Sequence, residues 1–84
     1  MAGYHQSNIV RGLYGHQSKI TEEYNEFIDS LEQNNKIMAI FELSDLIGAI
    51  EGYIVQYNLT LDDLIKMKDT TRKVFEEGYR TQKT

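Results

Sequence analysis

Four carboxylates stand in two pairs with the same spacing, Glu23 with Glu26 and Glu42 with Asp45. On a helix, residues three apart project from one side, so each pair offers two carboxylates together. The second pair lies inside Ile37–Val55, a run that is apolar nearly all the way round. One face of it carries Ile37, Ile40, Phe41, Ile47, Ile50 and Ile54, and the other Met38, Ala39, Leu46, Ala49 and Tyr53. A helix without a broad polar face is normally covered on every side. A carboxylate buried there without a partner costs too much, so Glu42 and Asp45 need a cation or a proton. If the two helices lie antiparallel, both pairs converge on one point. Four carboxylates so close suit a hard divalent cation. Mg²⁺ takes oxygen ligands and accepts phosphate oxygens while keeping some of its waters, and Mn²⁺ suits the same donors. The alternative is a structural ion pair with Lys68 and Arg72, which lie one turn apart further along the chain.

The elements that must position these acids can be read from periodicity and capping. Ile20, Tyr24, Phe27, Ile28 and Leu31 form an apolar stripe at helical spacing, predicting a first helix over about Lys19–Gln33 with Ser18 or Thr21 as N-cap. Glu22 and Glu23 fall in its first turn, where the helix dipole favours acids. A short polar turn should then reverse the chain into a central helix over about Lys36–Tyr57, since short connections join antiparallel neighbours. Thr60 and Asp63 form a capping box that opens a third helix, with Leu59 placed to pack on Leu64 and Gly78 placed to end it. Residues 1–17, with Gly3, Gly12 and Gly15, read as an arm containing one short helical turn near Ser7–Arg11. The expectation is an all-α, single-domain chain: an arm (1–17), a three-helix core (18–78) and a polar tail (79–84).

Composition narrows the function. The chain has 84 residues with 13 acids against 9 bases, so it lacks the basic footprint of a nucleic-acid binder. It has no cysteine, which removes thiolate metal sites and cysteine nucleophiles and fits a cytoplasmic setting. The opening residues do not form a signal peptide, and three acids inside Ile37–Val55 argue against a membrane span. A chain this short buries only about 60–65% of its unfolded surface. Its central helix is therefore expected to be covered by other subunits.

The pattern KITEEYNEF, then FELSDLIGAIEGYI, then a third helix bearing Lys and Arg, resembles the MazG-like all-α nucleoside triphosphate pyrophosphohydrolases. That superfamily includes phosphoribosyl-ATP pyrophosphohydrolase and the dimeric dUTPases, and the resemblance covers about Lys19–Phe75. The opening GYH…GLYGHQSKI and the closing MKDTTRKVFEEGYR also look like small bacteriophage-encoded members. The resemblance implies that Glu23, Glu26, Glu42 and Asp45 hold Mg²⁺, with Glu22 beside them as the first acid of a frequent Glu-Glu doublet. It implies that Lys68 and Arg72 contact phosphates, with Lys19 as a further candidate. Several relatives carry an aromatic residue where this chain has Ala49, and Tyr14, His16, Tyr24 or Tyr53 could replace it. The implied assembly is a homodimer or homotetramer with sites near subunit boundaries.

The implied reaction is α–β cleavage of a (d)NTP to a (d)NMP and pyrophosphate, with Glu23 or Glu26 orienting or deprotonating the attacking water. Two rivals use the same residues. One is a silent binder that captures a nucleotide or a nucleotide-derived signal, as a phage protein would do to blunt a host defence. The other is a structural assembly whose acids are neutralised by Lys68 and Arg72.

Overall fold

The computed structural model describes residues 8–76 and contains three α-helices. These are α1 (Gln17–Glu32), α2 (Lys36–Ile54), which runs on into a 3₁₀ turn at Val55–Tyr57, and α3 (Leu61–Glu76). Among the described residues there is no strand, so the chain is all-α. Gly78 and the 79–84 tail lie outside the described residues, as does Ser7. The helical turn expected near Ser7–Arg11 is absent over residues 8–11, which have no regular structure.

α1 starts earlier than the sequence predicts. Its N-cap is His16, whose Nδ1 accepts a hydrogen bond from the Ser18 backbone N–H at 3.1 Å. Ser18, an expected cap, is committed elsewhere. Its Oγ lies 2.9 Å from His16 Nδ1 and accepts from the Leu13 N–H at 3.0 Å. Imidazole thus takes the role that a hydroxyl or carboxylate usually fills.

Two asparagines make the reversal between α1 and α2. Asn34 adopts the left-handed conformation at φ 59°, while the Asn35 N–H donates to Ser30 O and the Asn34 N–H to Leu31 O, both at 2.9 Å. This pair of bonds closes a helix C-terminus and satisfies carbonyls that would otherwise be orphaned. Asn35 also caps α2, its Oδ1 accepting from the Met38 N–H at 3.1 Å. One residue thus joins the end of one rod to the start of the next, and α1 and α2 pack side by side. The capping box of α3 forms as predicted: Thr60 N–H donates to Asp63 Oδ2 at 2.8 Å and Asp63 N–H to Thr60 Oγ1 at 3.2 Å. α3 meets α2 over a short stretch and does not touch α1.

The surface that α1 and α2 bury is unusual. The buried apolar residues among those described are only Ala39, Ala49 and Ile54, whereas Glu22, Glu23, Asp29, Ser30 and Glu42 are all buried. The expected apolar stripe of α1 is only partly covered, with Tyr24 and Leu31 exposed. Nor is α2 covered on all sides: Ile37, Ile40, Phe41 and Ile47 face outward, with Ile37 at 72% and Phe41 at 60% exposure. The physical reason is that α1 covers the α2 side bearing Ala39, Glu42 and Ala49, and no further element among the described residues covers the other side.

Candidate metal and nucleotide site

The acids predicted to converge do so. Glu23, Glu42 and Asp45 each place a carboxylate oxygen so that the three lie within 4.8 Å of one another, and Glu22, Glu23 and Glu26 form a second such triad. Glu23 belongs to both. Glu42 is completely buried and Glu23 is 6% exposed, whereas Asp45 opens to solvent. The cluster is therefore walled by helices on one side and accessible from the other.

Crowding controls its protons. Burial, the charge of Glu23 and a hydrogen bond with Glu42 push the Glu26 carboxyl up to about 8, so at neutral pH it holds a proton. Burial, then the charges of Glu23 and Glu42, also raise Asp45 above the usual carboxylate range. Glu22 goes the other way. Burial alone would raise it, but the Gly12 N–H at 2.8 Å and the Lys19 ammonium at 3.1 Å bring it below its ordinary value. Glu22 thus ties the arm to α1. The tie depends on glycine, because a Cβ at Gly12 would collide with the backbone carbonyl of Ser18.

Among the described residues Lys19 meets these acids, its Nζ lying 3.1 Å from Glu22 Oε1 and 3.2 Å from Glu23 Oε2. Burial alone would lower the Lys19 ammonium, yet the hydrogen bonds and charges of Glu22 and Glu23 raise it. Lys68 instead pairs with Asp69 at 2.8 Å on the exposed surface of α3, and Arg72 lies exposed one turn further on. Neither stands on an element that touches α1. Of the aromatic candidates, His16 is used as a cap and Tyr24 is exposed on α1. Tyr53 Oη lies 2.7 Å from Tyr57 Oη with the rings edge to face. Tyr14 rests its ring where a Cβ at Gly52 would stand, three residues past Ala49. The backbone N–H of Gly12 and the clamp by Lys19 were not predicted from sequence. The signal for the clamp was the i+3 and i+4 spacing of Lys19 to Glu22 and Glu23 on one helix.

The donor set fits a hard divalent cation. It is all oxygen and carries several formal charges. Within it, Glu23 Oε1 is buried with no hydrogen-bond partner. A buried acceptor left this way is costly unless something binds it.

Comparison with known proteins bears on the same residues. The family profile of phosphoribosyl-ATP pyrophosphohydrolase matches residues 4–72. No curated protein and no solved structure matched the chain. No described helix is long and apolar enough to cross a membrane.

Proposed function

The chain belongs to the phosphoribosyl-ATP pyrophosphohydrolase family, within the MazG-like all-α superfamily, and from that premise we propose that it is a divalent-metal-dependent pyrophosphohydrolase that cleaves a nucleoside triphosphate between its α and β phosphates. Membership points to a hydrolase acting on nucleotide phosphoanhydride bonds. The finer reading is supported above all by the orphaned Glu23 Oε1 at the centre of two acid triads. Glu23, Glu26, Glu42 and Asp45 would hold Mg²⁺ or Mn²⁺. When bound, the ion would offset phosphate charge and lower the pKa of an attacking water.

The side chains divide the remaining work. Glu23 or Glu26 orients or deprotonates the water that attacks the α phosphorus, and Glu26, raised to about 8, can act as the base only in its ionised form. The bond from that phosphorus to the α–β bridging oxygen breaks, so the products are a monophosphate and pyrophosphate. Lys68 and Arg72 take charge from the leaving pyrophosphate, across a subunit boundary formed when the outward face of α2 pairs with a second copy. Tyr14 on Gly52 is the aromatic candidate best placed to flank a base beyond Ala49.

A panel of NTPs, dNTPs and phosphoribosyl-ATP, incubated with Mg²⁺ and assayed for pyrophosphate, tests this reading. Release that stops on chelation supports it. Nucleotide binding by calorimetry with no pyrophosphate would replace it with the silent binder.

A further inference from the structure

Ser30 is 1% exposed on α1, and its Oγ has no hydrogen-bond partner. A hydroxyl buried in that state costs stability. Small size does not explain it. Alanine fills the same space, is a better helix former and buries no polar atom. Ala39 on α2 does so at 3% exposure. The hydroxyl itself therefore needs a role.

Its place in the fold narrows that role. Glu23, Glu26 and Ser30 stand at i, i+3 and i+7 on α1, so the hydroxyl continues the stripe that carries the acids. Ser30 lies four residues before Asn34 and Ala39 four after Asn35, which sets the two at one level of the antiparallel pair. The bond from the Asn35 N–H to Ser30 O at 2.9 Å fixes that level to the reversal. Every Cα–Cβ bond on a helix tilts toward the helix N-terminus. On antiparallel rods Ser30 therefore leans back toward the level of Glu42, and Glu42 leans back toward the level of Ser30. Glu26 leans the other way, toward Glu23. Glu42 is completely buried and, in the metal-free chain, shares a hydrogen bond with Glu26. The acid has a partner at rest, and the hydroxyl one turn deeper has none.

We propose that Ser30 is a positioning residue of the metal site, its hydroxyl donating to the Glu42 carboxylate when a divalent ion is bound. Carboxylates that ligate an ion are themselves held by hydrogen bonds from groups behind them. Ser30 has a donor to give and stands on the closed side of the cluster, away from the solvent that reaches Asp45. The inference rests on the metal reading above and adds a group outside the four acids that tunes affinity for the ion. Its signature is a pair of effects with opposite signs: the hydroxyl costs the metal-free chain stability and strengthens its hold on the ion.

Two measurements on the full-length protein test it without any turnover: thermal melts of the metal-free chain by circular dichroism, and titration with Mn²⁺ by calorimetry. Ser30→Ala should raise the metal-free melting temperature and weaken Mn²⁺ binding by about tenfold. In a Glu42→Gln background the same change should alter Mn²⁺ affinity by less than about twofold, because a residue acting through Glu42 loses its effect with it. Unchanged Mn²⁺ affinity in Ser30→Ala would overturn the proposal. So would a lower melting temperature or a failure to fold, since the hydroxyl would then be structural. Equal weakening with and without the Glu42 carboxylate would overturn it as well. Where Glu42→Gln leaves no measurable binding, the opposite signs in Ser30→Ala alone decide. All these outcomes leave the metal site standing. Absence of any Mn²⁺ binding by the unaltered protein would instead remove the underlying metal reading, and this inference with it.

Discussion

The two sides of α2 contrast sharply. The side against α1 carries the completely buried Glu42 between Ala39 and Ala49, while the opposite side exposes Ile37, Ile40, Phe41 and Ile47. A soluble protein normally places these chemistries the other way round. The difference shows that the interior of the single chain is arranged for charge rather than for stability. The apolar surface that would ordinarily hold such a domain together stays exposed in the single chain, which is why the proposed function places a second copy there.

The largest expected effect comes from breaking the polar side. Glu42→Gln should lower pyrophosphate release by about 100-fold or more, the scale at which even outer partners of a metal ion act. Removing a charge from the crowded cluster should meanwhile raise the melting temperature of the metal-free protein, by roughly 5 °C per kcal/mol gained in a domain of this size. A lower melting temperature would mean that Glu42 is structural. On the other side, light scattering should give the molar mass of the proposed paired form for the unaltered chain and that of a monomer for Phe41→Asp. An unchanged mass would remove the assembly argument.

Acid–base chemistry sharpens the contrast. The folded, metal-free chain holds a proton on Glu26 up to about pH 8, whereas an ordinary glutamate releases it near 4.5. The folded state thus binds the extra proton between those values, and stability from this group is lost as pH rises from about 4.5 to about 8. Thermal melts across that range without metal should show the decline. Metal binding at pH 7 should release a proton, seen as a calorimetric enthalpy that varies with buffer; proton-neutral binding would contradict the value given to Glu26.

Smaller effects concern the ties around the contrast. Gly12→Ala should destabilise by about 1–3 kcal/mol through its collision with Ser18, measured by denaturant unfolding. Thr60→Ala should cost about 1 kcal/mol by removing a helix cap far from the acids, with metal affinity unchanged.

Much of this arrangement was legible in the sequence. The start of α2 at Lys36, the capping box at Thr60 and the meeting of the two acid pairs all follow from local spacing. The start of α1 did not, because capping rules favour hydroxyls over imidazole and the Ser18 hydroxyl is drawn to the arm. Lys19 was placed as a phosphate contact, and its i+3 and i+4 spacing to Glu22 and Glu23 was not weighed as an ion pair. Burial was misread on both helices because the apolar stripes describe what must be covered, not whether one chain can cover it. Tyr24, Leu31 and Phe41 satisfy the pattern and remain outside.

The reversal at Asn34–Asn35 carries a consequence for how such a chain can change length. A single residue added inside either rod, between this reversal and its acids, would turn those acids by about 100° and take Glu42 out of register with Glu23. Two turns added to each rod, about seven residues, would restore the facing to within about 20°. Length added to the helices is thus read by their geometry, whereas length added at the asparagine reversal falls outside it.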